Sequence, residues 1–259
     1  MRSYRSIMTT KERHSRILAR VQEEGAVTVA DLVAELGASE ATLRRDLAEL
    51  DAQGLLRRVH GGARRAELRG LEEPFAARSG ANPEGKRRIA RAIAALLAPG
   101  EAVVLDSGTT TLEVARAVRE LPLRVVPLSL AALDVLAEGE RVRVTVPGGE
   151  LRPGERSFVG PLAERSLAAL RFDTAIISPC ALDIAGGATA YDTEDAAVKQ
   201  AAMRSAERRI LVCDATKWGR SAFAAIADLS SFDVLVTDRD VTPDESAMLE
   251  EKRVEVVVA

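Results

Sequence analysis

From Glu84 onward, short apolar runs alternate with helical stretches. The runs are EAVVLD, LRVVPLS, RVRVTVPGG, DTAIISP, RRILVCD and FDVLVTD, each bounded by polar, Gly or Pro residues. Between most of them lie segments such as TLEVARAVREL, LAALDVLAEG, PLAERSLAALR and EDAAVKQAAMRSAE. Runs that are apolar almost throughout fit strands buried on both faces, and regular alternation with helices fits crossover connections. Together they predict an α/β domain with a mainly parallel sheet. The chain is 47% hydrophobic but 3% aromatic, so its core has to be aliphatic.

In an open parallel sheet, ligands bind beyond the carboxyl ends of the strands, near a switch in strand order. Three groups of polar residues fall just past strand ends here. Asp106, Ser107, Gly108, Thr109, Thr110 and Thr111 follow the first run, Gly148, Gly149 and Glu150 follow RVRVTVP, and Asp214 and Lys217 follow ILVC. These segments are candidates to converge on one pocket. In LDSGTTTLEVA a strand, a glycine turn and hydroxyl residues at a helix start would present N–H and O–H donors to an anion. With no lysine after the glycine it is not a nucleotide P-loop, and it suits a monophosphate or a carboxylate. The same residues are equally compatible with a plain helix cap.

The N-terminal segment has another pattern. KERHSRILARVQEEG reads as a helix with Ile17, Leu18 and Val21 as its apolar stripe and Gly25 as its stop. AVTVADLVAELG follows, with Thr28 and Asp31 as an N-terminal cap and Leu32, Val33 and Leu36 on the buried side. Gly37 breaks the chain and Ser39 caps a third helix. LLRRVHGGA then reads as a hairpin wing, with AVTV available to pair against LLRRVH. The whole predicts a winged helix-turn-helix.

At about 100° per residue, Leu43, Leu47 and Leu50 of the third helix point into the core. Ala41 and Arg45 point outward, flanked by Thr42 and Arg44. Small residues for close approach and arginines for guanine edges or phosphates are what a helix in a major groove presents. Arg57 and Arg58 on the wing would lie along the duplex backbone or in the minor groove. Asp46 falls near the buried edge of the wheel, where it would hold an arginine or a backbone group. The first 70 residues are net basic, although the whole chain carries −3, which directs a polyanion to this end.

Other classes find little support. The two cysteines, Cys180 and Cys213, form no CxxC or metal-ligand spacing and fit a reducing compartment. No run approaches the ~18 apolar residues that span a bilayer. The start has no apolar signal region. A cytoplasmic protein without metal or cofactor is expected. Both histidines, His14 and His60, lie outside the α/β domain, and no spacing pairs Asp106, Glu150 or Asp214 as acid and base, so an enzyme is not expected.

The order Ser39, Thr42-Leu43-Arg44-Arg45-Asp46-Leu47 and His60-Gly61-Gly62-Ala63 resembles the DNA-binding domain of the DeoR family of bacterial transcription regulators. The likeness continues through Lys86…Ile89-Ala90, LDSGTTT, PGGELR, VGPLA, GGAT, VK and CDATKWG, which look like landmarks of that family's effector domain. The resemblance implies a winged helix-turn-helix over 9–63, a linker over 64–83 and an α/β effector domain over 84–259 that resembles the sugar-phosphate isomerase fold. It adds Ser39 and His60 to the DNA-facing set. It implies that residues 106–111 cradle the phosphate of a phosphorylated sugar or related anionic metabolite, that Lys217 adds a positive charge beside Asp214, and that Gly149, Glu150 and Arg152 border the sugar. It further implies a homo-oligomer, dimer or tetramer, on double-stranded operator DNA, most often as a repressor. Two segments depart from the family's usual pattern: Pro127-Leu128-Ser129 stands where relatives read Thr-Asn-Ser, and Ser178-Pro179-Cys180-Ala181 replaces a glycine-rich turn. Both are expected at the ligand's non-phosphate end.

Overall fold

Helix α1 (Thr10–Glu24) starts on Thr9, whose hydroxyl accepts the Glu12 N–H while the Glu12 carboxylate accepts the Thr9 N–H. Strand β1 (Ala26–Thr28) leads into α2 (Val29–Leu36), which opens on the same reciprocal cap between Thr28 and Asp31. Gly37 takes the left-handed conformation that ends α2, and Ser39 accepts from Thr42 N to start α3 (Glu40–Ala52). Strands β2 (Leu56–Val59) and β3 (Gly62–Arg65) complete the wing. Ile17, Val21, Leu32, Leu36, Leu43, Leu47, Leu50 and Leu56 close a single small core beneath these elements.

The wing is built differently from the expected pairing. β1 pairs antiparallel with β3, Ala26 opposite Arg64 and Thr28 opposite Gly62, so β3 lies between β1 and β2. The reason is steric. A Cβ on Gly62 would stand 2.1 Å from Val27 O, so only glycine lets the two backbones approach. Arg64 and Arg65 are therefore strand residues, not the start of a linker.

The computed structural model describes residues 8–53, 55–59, 61–65, 69 and 72–259, and the chain divides into two units, Met1–Leu68 and Arg69–Ala259. In the second unit, α4 (Phe75–Gly80) and α5 (Pro83–Leu96) precede β4 (Ala102–Leu105), α6 (Thr109–Val118), β5 (Arg124–Pro127), α7 (Leu130–Leu136) and β6 (Arg143–Val144). Next come the hairpin β7 (Glu150–Arg152) and β8 (Ser157–Val159), then α8 (Pro161–Ala168), β9 (Phe172–Ile177), β10 (Ala181–Asp183) and β11 (Gly187–Ala190). The chain ends through α9 (Thr193–Arg204), β12 (Ala206–Cys213), β13 (Ala224–Ala227), β14 (Val234–Thr237), α10 (Pro243–Glu251) and β15 (Glu255–Val258).

Seven strands form one parallel sheet in the order β15-β14-β12-β9-β4-β5-β6. Both faces are buried, as near-continuous apolar strands require. Val103, Leu105, Ile176, Ile210 and Val212 point to the side that also holds Ile89, Ile93, Val114 and Leu136. Val104, Ala175, Ile177, Leu211 and Cys213 point to the side that holds Ala163, Leu167, Ala202 and Leu249. From β4 the chain runs outward through β5 and β6, then returns to place β9 on the other side of β4. The β4/β9 boundary is the topological switch point, where loops diverge and leave a crevice. No helix among the described residues is long and apolar enough to cross a membrane.

Candidate functional site

In the first unit, the helical wheel is realised in the burial. Leu43, Leu47 and Leu50 are at most 1% exposed, while Ser39, Ala41, Arg44 and Arg45 are exposed and Thr42 is half-buried. Arg44 is drawn back along its own helix to Glu40 (2.5 Å). Arg45 makes no ion pair within 4.0 Å among the described residues, and Arg57 and Arg58 are exposed on β2. Asp46 is buried and holds α3 to α1. Its carboxylate accepts from Arg13 Nε (2.5 Å) and Nη2 (2.9 Å), with His14 Nε2 at 3.1 Å. Burial opposes its ionisation, but the Arg13 and His14 bonds outweigh this and hold the carboxyl below the usual range. His60 lies outside the described residues.

In the second unit, Asp106 leaves β4 and is 1% exposed. Both of its oxygens lie 2.7 Å from Lys199 Nζ, and they also accept the N–H groups of Ser107 (2.7 Å) and Ser178 (2.8 Å). The Ser178 bond ties the end of β4 to the end of β9 across the switch point. Burial pushes the Asp106 carboxyl up against the pull of Lys199. Burial alone would depress the Lys199 ammonium, but Asp106 and Asp195 (3.3 Å) overcome that and raise it above the ordinary lysine range.

Beside this pair lies a cavity of about 170 Å³, with Thr109, Lys86, Asp214 and Lys217 in its wall. A smaller hollow shares Lys217 and Cys180 with it and adds Ser107, Gly108 and Arg152. Lys217 Nζ donates to Ser178 Oγ (2.8 Å) and Pro179 O (2.7 Å). Lys86 Nζ donates to Ala81 O (2.5 Å) and to Arg78 O. Both ammonium groups thus donate to neutral oxygens, each with a third N–H to offer, and the Asp214 carboxylate lies near both. Burial depresses Lys86, and the nearby Lys217 and Arg78 add to this against Asp214. Burial also works against Asp214 as an anion, but Lys217 and the Thr216 hydroxyl hold its carboxyl below the usual range. Two cations, a hydroxyl and a helix N-terminus share this cavity with the carboxylates of Glu72, Glu73 and Asp214.

Several expected ligand contacts have other work. Asp106 is saturated by Lys199 and two backbone donors, and neither it, Thr110 nor Thr111 lines the cavity. Thr110 donates to Asp214 Oδ2 (3.3 Å) and Thr111 to Gly108 O (3.0 Å), which fixes the loop from behind. Gly149 packs where a Cβ would meet Val159 O at 2.7 Å, and Glu150 is exposed; neither lines the cavity. Lys217, Asp214 and Thr109 do, and Arg152, Ser107 and Gly108 line the adjoining hollow. Of the two departures, Ser178-Pro179-Cys180 borders the hollow. Ser129 instead caps α7 through Ala132 N (3.3 Å).

Lys86 and Lys199 were legible as landmarks but not as site residues. A signal existed. Lys86 shares the helical stripe of Ile89, Ala90 and Ile93, and Lys199 that of Asp195, Ala202 and Met203, all buried. A lysine on a core-facing stripe needs a reason to be there.

A winged helix-turn-helix joined to an α/β unit with a cation-lined cavity at its switch point defines a class: DNA-binding regulators that carry a small-molecule sensor. Residues 13–69 match the DeoR-like helix-turn-helix domain and residues 81–239 match the DeoR C terminal sensor domain. The chain belongs to the DeoR family of transcriptional regulators. It is 36% identical over 252 residues to the HTH-type transcriptional regulator GlpR of Haloferax volcanii, covering 96% of this chain and 98% of that one. It is 32% identical to the HTH-type transcriptional repressor CsqR of Escherichia coli, covering 97% and 96%. Identity to the lactose phosphotransferase system repressor of Lactococcus lactis is 31%, covering 91% and 94%. Among solved structures, ribose 5-phosphate isomerase A of Methanocaldococcus jannaschii overlaps 53% of this chain and 55% of its own at a TM-score of 0.41 and 14% identity.

Proposed function

We propose that this regulator is a repressor whose operator affinity is set by a small phosphorylated sugar or related anion bound at the switch point of its sensor unit. One observation carries the reading. Lys86 and Lys217 are buried in one cavity wall with neutral acceptors, at the N-terminus of α6, and a phosphate dianion is the group that satisfies both. Thr109 with Ser107 and Gly108 would complete the cradle, and Arg152 would face the rest of the ligand. Relatives named as repressors support the sign of the response.

In the first unit, Ala41, Thr42, Arg44 and Arg45 would enter a major groove, with Arg57 and Arg58 against phosphates, in a homo-oligomer reading paired half-sites. Sensing is favoured over turnover because the two carboxylates at the strand ends are both engaged. Asp106 is closed by Lys199, and Asp214 accepts from Thr216 and Thr110, so neither is a free base. The test is a mobility shift on the DNA upstream of this gene, wild type beside Arg45→Ala, with and without added hexose phosphates. Equal binding by both proteins would remove α3 as the reading helix, and indifference to every phosphosugar would remove the sensor.

A further inference from the structure

Glu72 stands four residues beyond Leu68, where the first unit ends, and its carboxylate is built into the sensor cavity. The side chain is 13% exposed. One oxygen accepts from Arg152 Nη2; the other lies 3.4 Å from Arg78 Nη2 and accepts from Cys180 Sγ at 3.7 Å. Burial pushes the Cys180 thiol up to about 11, so at neutral pH it is the donor in that contact. Arg78 sits on α4, also pairs with Glu155, and donates to Glu73 O (2.9 Å). The second carboxylate near Arg152, Asp192, is 3.6 Å away.

The cavity and the hollow that adjoins it therefore hold two cationic groups. In the cavity wall, Lys86 and Lys217 lie with Thr109 at the start of α6. In the hollow, the guanidinium groups of Arg78 and Arg152 are clamped on a carboxylate that belongs to the chain itself. Removing that carboxylate without replacement would leave Arg152, 17% exposed, with a single long contact. A neutral hydroxyl cannot replace it, because it brings no counter-charge for the guanidinium groups and has only one oxygen where the carboxylate offers a planar fork of two. A ligand carboxylate can, since it reproduces the same planar fork.

We propose that the Arg78–Arg152 pair is a second anion subsite of the effector cavity, for which Glu72 is a tethered competitor, and that the effector class is a phosphorylated sugar acid whose carboxylate displaces Glu72. Release of Glu72 frees the segment 72–77, ahead of the ligand-held Arg78 and close to the start of the sensor unit. The inference rests on the reading of the lysine end as a phosphate site.

The experiment is calorimetric titration of the full chain with two matched pairs: 6-phosphogluconate against glucose 6-phosphate, and 3-phosphoglycerate against glycerol 3-phosphate. In the wild type, the acid of at least one pair binds about tenfold tighter than its partner without a carboxylate. Glu72→Gln tightens the acid further, by about fivefold or more, because the competitor is gone; Arg152→Gln abolishes the preference. Hydrogen exchange read on the wild type, independent of whether a variant folds, shows residues 72–77 losing protection when the acid is added. Equal affinity within both pairs while Lys217→Met still weakens them would overturn the second subsite and leave the phosphate site standing. No binding of any probe would overturn both. Unchanged protection at 72–77 with a tightly bound acid would overturn the displacement.

Discussion

Lys199 Nζ sits 2.7 Å from both oxygens of Asp106, and neither side chain is more than 2% exposed. The pair joins α9 to the end of β4, and the Asp106–Ser178 bond carries the tie on to β9. A buried ion pair of this kind is weak evidence for net stability, but breaking it from one side leaves an uncompensated charge. Lys199→Met is expected to destabilise the sensor unit by about 3–5 kcal/mol. Urea unfolding checks this, and the double variant with Asp106→Leu should recover part of the loss because no charge is then stranded.

The anion subsite predicts a split between two lysines of similar burial. Lys217→Met should weaken phosphosugar binding by about tenfold to a hundredfold, the loss of one charge-assisted bond of about 1.5–3 kcal/mol. Lys86→Met should do the same and also loosen the chain near Ala81, because Lys86 holds the carbonyls of Arg78 and Ala81. Calorimetry reads the first effect and hydrogen exchange at 78–82 the second.

On the DNA-binding face, Arg45 and Arg58 should separate by the kind of loss. Arg45→Ala is expected to cost about 1–3 kcal/mol and to relax discrimination at one base pair. Arg58→Ala should weaken all sequences alike and reduce the salt slope by about one. Binding curves at several salt concentrations on operator and scrambled DNA distinguish them.

Gly62→Ala should remove operator binding while leaving phosphosugar binding intact. The added methyl meets Val27 O at 2.1 Å, so β1 and β3 cannot stay paired and the wing loses its third strand. Mobility shifts and calorimetry on the same preparation check both halves of the statement.

The Asp46 tie sets a pH dependence for the DNA-binding unit. Its carboxyl is lowered in the folded state, so its contribution is fully present above the unfolded value of about 3.9 and is lost as pH falls through the lower folded value. Thermal melts of wild type and Asp46→Asn should differ at pH 7 and begin to converge as pH falls below about 4. A constant difference down to pH 3 would contradict this.

Much of this protein is legible in its sequence. The caps at Thr28 and Ser39, the leucine stripe of α3 and the sheet's six apolar strands follow from local rules: a hydroxyl at a helix start, a 3.6-residue period and runs too apolar for a solvated face. β15 was not legible because a four-residue edge strand, half exposed, carries little pattern. β3 was missed because GARR reads as a turn and a charge run. It becomes a strand through glycine's lack of a side chain beside Val27.

The sequence by itself determined the helices of the DNA-binding unit, the buried strands of the large sheet and which face of each is buried, since those depend on neighbours within one helical turn or strand. The tertiary structure alone decided what the polar residues at the strand ends do. Asp106 and Lys199 are 93 residues apart in sequence, and Glu72 and Arg152 80 apart. Which carboxylate a buried cation meets depends on the crossing of α9 over the sheet and the return of residues 72–80 to the cavity. Local propensity has no term for either. The expected phosphate loop therefore divided in two: Thr109 lines the cavity and Ser107 and Gly108 the adjoining hollow, while Asp106, Thr110 and Thr111 hold the loop in place.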